Sequence, residues 1–125
     1  MRKFLNALIF SGLVSCPAFA AQPVFMSGFE DLPLMDGLKQ FDDGAVAFDA
    51  PSGRIVEAYA QSEDVGRKSV LDFYGKTLPQ LGWKRMKGAA SASVSFTREG
   101  EELTISVDDG TPATVRFELK TTEKD

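Results

Sequence analysis

The sequence predicts an α+β fold, an antiparallel sheet of about five strands with one main helix packed on one face. Three observations carry this. One segment, residues 65–83, places apolar residues at three- and four-residue steps. At least three later segments alternate apolar and polar residues with a period of two. The joints between those segments hold glycine, proline and acidic residues, which suit tight turns.

Residues 1–20 read as an export signal. Arg2 and Lys3 precede an apolar run from Phe4 to Val14, broken only by Asn6, Ser11 and Gly12, and small residues close it. The run is too short to cross a bilayer, which takes about 20 apolar residues, and no later stretch is longer. Two processing enzymes can read its end. Ala18-Phe19-Ala20 has the A-x-A form that places cleavage between Ala20 and Ala21 and frees the chain. Leu13-Val14-Ser15-Cys16 has the spacing of a lipobox, the alternative, which leaves a lipid anchor on Cys16. Pro17 favours release, because proline has no N–H to continue a helix and disfavours helix at the residue before it. The Pro-Ala-Phe-Ala-Ala that follows Cys16 is also a poor flexible tether. The expected location is the periplasm or outside the cell, with a lipid-anchored envelope protein as the alternative.

Residues 21–43 are expected to form an extended N-terminal segment packed on the domain. They lack periodicity and contain Pro23, Gly28, Pro33 and Gly37, yet Phe25, Phe29, Leu32, Leu34, Met35, Leu38 and Phe41 are too apolar for a disordered arm. The single domain then spans residues 44–120. AVAFD (45–49) pairs with RIVEAYAQ (54–61) across the turn Ala50-Pro51-Ser52-Gly53. Which face of the second strand is buried stays open. Ile55 and Tyr59 argue for one face, whereas Val56, Ala58 and Ala60 make a row of small side chains on which a helix can sit closely.

In the helix, Val70, Leu71, Tyr74, Leu78 and Leu81 form one stripe, and Arg67, Lys68, Asp72 and Lys76 fall mostly outside it. Ser62 or Asp64 suits the cap at its start, and Gly82 the left-handed residue at its end. Pro79 cannot donate to the carbonyl of Gly75, a loss of about 3 kcal/mol inside a helix. The reading is a kink or a loosened last turn over residues 75–82, or else two short elements broken at Leu78. Trp83 to Lys87 begins the meander. Residues 92–98, 102–108 and 113–120 continue it, with Ala92, Val94 and Phe96, then Leu103, Ile105 and Val107, then Ala113, Val115, Phe117 and Leu119 on the dry face. The polar tail, residues 121–125, is expected to fray.

Composition excludes more chemistry than it offers. The chain has no histidine, the commonest general base and metal ligand near neutral pH. Cys16 is the only cysteine, so disulfides, thiol catalysis and cysteine-ligated metals drop out of the processed chain. Loss of residues 1–20 removes Arg2 and Lys3 but no acidic residue, moving the formal charge from −4 to −6. That disfavours nucleic acid and anionic lipid headgroups. Glycine-rich nucleotide motifs and a G-x-S-x-G elbow are absent. Adjacent carboxylates remain at Asp42-Asp43, Glu101-Glu102 and Asp108-Asp109, all beside turns, where acidic residues serve the backbone. Lys84, Arg85 and Lys87 read as solvent-facing strand charges. Trp83 reads as packed under the helix end, with contact to a ligand or partner as the minority role.

GRIVEAYA (53–60), then VLDFYGKTLPQLGWKR (70–85) and the alternating strands resemble a group of small exported bacterial proteins of unknown function, over about residues 28–120. The FYGKTLPQLGW block is the most specific part. The resemblance implies no activity and no catalytic residue. The expectation is an exported cell-envelope protein that is not an enzyme, has no cofactor and no metal, and binds or helps assemble another envelope protein. The alternatives are a binder of small apolar ligands in the helix–sheet cleft beside Trp83 and, behind it, a hydrolase acting through carboxylates.

Overall fold

The alternation over the last third of the chain becomes an antiparallel sheet because each of those segments has only one side fit for burial. The computed structural model describes residues 24–51, 53–88, 91–110 and 112–122. Its strands are β1 (Leu38–Ala50), β2 (Gly53–Ser62), β3 (Lys84–Arg85), β4 (Ser93–Arg98), β5 (Glu101–Val107) and β6 (Thr114–Thr122). They form one six-stranded sheet in the order β1-β2-β6-β5-β4-β3. Every neighbouring pair is antiparallel. The architecture is α+β, as the sequence implies, with one strand beyond the expected five. The shortest is β3, two residues long, where Lys84 and Arg85 pair with Thr97 and Phe96; it falls within the Trp83 to Lys87 segment expected to begin the meander.

Helix α1 runs from Arg67 to Thr77 and passes into a 3-10 turn, Leu78–Leu81. Pro79 explains the change. It stands in the first positions of the 3-10 turn, where its missing N–H costs no helical bond. Gly82 closes the turn in the left-handed conformation (φ 96°) and donates to the carbonyls of Leu78 and Pro79. Neither expected cap forms. The N-cap is Gly66, without a side-chain cap. Ser62 is buried instead, donating its hydroxyl to the Val65 carbonyl (2.8 Å) and accepting from the Ala113 N–H (3.3 Å). It ties the loop before the helix to the entry of β6.

Val70, Tyr74 and Leu78 pack into a core with Val94, Phe96, Leu103, Ile105, Val107, Val115 and Phe117. The Tyr74 and Phe117 rings meet edge to face with centroids 5.5 Å apart. Val56, Ala58 and Ala60 are buried, which settles the open question about β2. The helix, however, lies over β4 and β5 rather than over that row. At the β1–β2 end of the same face the cover is residues 24–37. There Met26 and Leu32 join the core, and Gly28 comes so close to Ala45 that a Cβ would collide with it.

This strap is held at several points. Phe25 bridges to Pro33, Met26 donates to the Leu32 carbonyl (2.8 Å) and Leu34 to the Val24 carbonyl (2.7 Å). The Tyr74 hydroxyl donates to the Pro33 carbonyl (2.7 Å) and accepts from the Met35 N–H (3.1 Å). Burial pushes the Tyr74 pKa well above the ordinary phenol value, so the hydroxyl stays a donor.

Two boundaries move. β1 starts at Leu38 rather than beyond residue 43, because the register shifts between Gln40 and Ala45. This bulge hides the alternation from a sequence reader. β6 takes in Thr121 and Thr122, expected in the tail; residues 123–125 lie outside the described residues. So do Cys16, Ala20 and Ala21. Among the described residues no helix is long and apolar enough to cross a membrane.

Candidate functional site: the open face and free edge of the sheet

With the helix and the strap on one face, the other face of the sheet is uncovered by any described element. Strand alternation decides what it shows. Since Val56, Ala58 and Ala60 point inward, Ile55, Glu57 and Tyr59 point outward. The register places Val46 beside Glu57 and Phe48 beside Ile55, so those β1 side chains share the outer face. Phe41, in the bulge, stacks on Tyr59 with centroids 6.4 Å apart. Phe41, Val46, Phe48 and Tyr59 are 40%, 56%, 46% and 37% exposed, which makes one apolar stripe along β1 and β2.

Next to the stripe, Glu57 of β2 faces Glu118 of β6 directly, a like-charge pair that would repel. Arg116 resolves it, reaching Glu57 at 2.7 Å and Glu118 at 3.4 Å. Burial works against the Arg116 charge, and its bonds to Glu57 and Tyr59 outweigh that, so its pKa rises. Farther across, Ser93, Ser95 and Thr97 of β4 face Ser106, Thr104 and Glu102 of β5. Ser95 and Thr104 share a hydrogen bond of 2.9 Å. The outer face therefore grades from aromatic through charged to hydroxylic.

The two edges of the sheet differ. The β3 edge is two residues long, and both are exposed cations. The β1 edge is 13 residues long. Within it, Ala45 to Ala50 has neither proline nor lysine, and its register against β2 is unbroken. Short, charged edges resist pairing with another chain, whereas long apolar ones invite it.

Trp83, read from the sequence as packed under the helix end with contact to a ligand or partner as the minority role, lies on the other face and is 5% exposed. The Arg98 guanidinium sits 4.3 Å above its ring, donates to both oxygens of Asp31 (2.9 and 3.0 Å) and also donates to the Leu81 carbonyl (2.9 Å). The hydrogen bond from Arg98 holds the Asp31 carboxyl below its usual range, against the opposing effect of burial. The cavity between Phe29, Leu32, Trp83 and Leu103 measures ≈ 30 Å³. That holds about one water, against roughly 300 Å³ or more for a small-molecule site.

Of the adjacent carboxylate pairs, Glu101-Glu102 and Asp108-Asp109 have described side chains. Glu101 lies on the helix side near Arg98, and Glu102 on the outer face, because neighbours in a strand point oppositely. Burial pushes the Glu101 pKa up, and the positive charge of Arg98 opposes it. Asp108 builds its turn by accepting from the N–H groups of Thr114 (2.9 Å) and Gly110 (3.1 Å), which lowers its pKa. Asp42 and Asp43 belong to β1; their side chains lie outside the described residues. Among the described residues no three potential metal ligands gather.

Sequence reasoning missed Phe41, Val46 and Phe48 as surface features. Once the Val56 face is taken as buried, alternation through Ala45 to Asp49 puts Val46 and Phe48 outside, so the signal was present but undecided. No family model matches the chain, and no curated protein or solved structure matches it.

Proposed function

We propose that this chain is an exported cell-envelope protein, periplasmic or secreted, which works without catalysis by binding or helping assemble another envelope protein. The observation that carries the reading is the exposed stripe of Phe41, Val46, Phe48 and Tyr59 lying beside an unprotected sheet edge. Export is supported by Arg2 and Lys3 ahead of an apolar run that ends in Ala18-Phe19-Ala20. The FYGKTLPQLGW block supports membership in a group of small exported bacterial proteins of unknown function. The separation of Glu101 from Glu102 across the sheet supports the absence of carboxylate catalysis.

Photocrosslinking in cells tests it. A photoreactive residue at Val46 or Tyr59 should trap one discrete partner in the envelope fraction, and the same residue at Lys68, on the exposed surface of α1, should trap none. Equal labelling from all three positions, or none from any, refutes the reading. Intact mass of the processed chain checks the export signal. A mass beginning at Ala21 supports release, a diacylglyceryl Cys16 supports the anchor, and an uncleaved Met1 start removes export.

A further inference from the structure

We infer that the partner is recognised by strand addition, through an extended segment that pairs with Ala45–Ala50 of β1 and carries apolar residues flanked by basic ones. This rests on the protein-binding role proposed above and names its mode. An antiparallel sheet grows at an edge by backbone hydrogen bonds, which supply affinity, while alternate side chains supply selectivity. Of the two edges, β3 is blocked by its length and by Lys84 and Arg85. β1 offers six residues in regular register with β2, after the bulge between Gln40 and Ala45. Apolar side chains of an incoming strand would continue the outward row of Val46, Phe48 and Ile55, while on the inner side Ala45 is already covered by Gly28 of the strap.

Charge selects the occupant. β1 carries Asp42 and Asp43 on one side of this apolar stretch and Asp49 near its other end, against the single cation Lys39. A second copy of the chain would bring two such acidic strands together, on a protein whose formal charge is already −4. A segment with Lys or Arg at both ends of an apolar centre brings opposite charge to this acidic strand instead.

The probe is a capped nine-residue peptide with valine at three alternate central positions and lysine at both ends. Titrated into isotope-labelled protein, it should shift and protect backbone amides of residues 45–50 and move those of β2 less. A version with glutamate ends should bind about ten-fold more weakly. Asp49→Lys, an exposed change, should bring the two peptides within about three-fold of each other. Methylating the peptide nitrogens along one edge should abolish binding, and along the other edge should leave it intact. No binding, shifts confined to β4–β5, or tolerance of methylation on both edges overturns strand addition, as does a dimer in sedimentation that Asp49→Lys leaves intact. If the Val46 and Tyr59 crosslinks persist while the peptide fails, only the mode falls and the binding role stands. If the crosslinks fail too, both fall.

Discussion

Tyr74→Phe deletes one oxygen and keeps the ring, which isolates the contribution of the bond between helix and strap. In the folded protein that oxygen donates to the Pro33 carbonyl at 2.7 Å and accepts from the Met35 N–H at 3.1 Å, in a side chain with 0% exposure. Each bond contributes about 0.5–1.5 kcal/mol net, and each backbone group left buried without a partner costs about 1–3 kcal/mol. If the strap loosens enough for water to reach both groups, the loss is about 1 kcal/mol; if it stays shut, about 3 kcal/mol. For a domain of this size the melting temperature falls by roughly 4–8 °C per kcal/mol. Urea unfolding gives the global number. Hydrogen exchange at Met35 gives the local one, and there the effect should be largest, with amides of β5 and β6 changing only as global stability does. A loss below about 0.5 kcal/mol together with unchanged exchange at Met35 would show that the strap is held by its apolar residues alone, and that the hydroxyl is incidental.

Three further perturbations test the same architecture. Asp31 has a folded-state pKa below its unfolded value, so its contribution is complete above about pH 4 and is lost as pH falls through the lower folded value. Urea midpoints of wild type and Asp31→Asn should therefore differ at pH 6 by under about 1 kcal/mol, because the carboxylate is half exposed, and should converge toward about pH 2; parallel curves would contradict this. Ala58→Leu should overpack the buried row opposite Ala45 and Phe117 and lower stability by about 1–3 kcal/mol in thermal unfolding. Gly28→Ala should cost about 1–3 kcal/mol, since its φ of +90° disfavours a side chain and the new methyl would meet Ala45; circular-dichroism melts with an unchanged midpoint would mean that the strap does not approach β1 so closely.

The parts of the fold visible in the sequence are those whose burial follows a single period. Leu103, Ile105 and Val107 alternate without interruption, and all three are buried on the helix side. The Arg98 to Glu101 joint was equally legible, with Glu99 and Gly100 both at positive φ as a two-residue hairpin turn requires. Legibility failed where two surfaces compete for one partner. The alanine row of β2 can accept any close neighbour, and nothing local distinguishes a helix from a strap as its cover. At Gln40 to Ala45 the bulge breaks the period, so half of β1 looks like loop. The partners of Trp83 were hidden for a different reason, since Arg98 reaches it through the register of β3 on β4 and Asp31 is 67 positions from Arg98. Such contacts are properties of the assembled sheet.

An exposed phenylalanine by itself carries little meaning, because more than half of any folded surface is apolar. What gives the β1 stripe weight is its coincidence with two independent features. The chain protects its other edge by both length and charge, whereas the regular part of β1, Ala45–Ala50, carries one charge, Asp49, and no proline. The chain also neutralises the Glu57–Glu118 pair with Arg116 in the middle of the same open face. That arrangement keeps the centre of the face ordered and polar, which discourages sheet-on-sheet stacking through it, while the apolar residues collect at its β1 margin. A face meant only for water would have no reason to segregate its side chains in this way, and a face meant to stack would not place a charged knot at its centre. Segregation toward a free edge fits a strand arriving from the side, with its backbone satisfied by β1 and its outward side chains lying against Val46, Phe48 and Ile55.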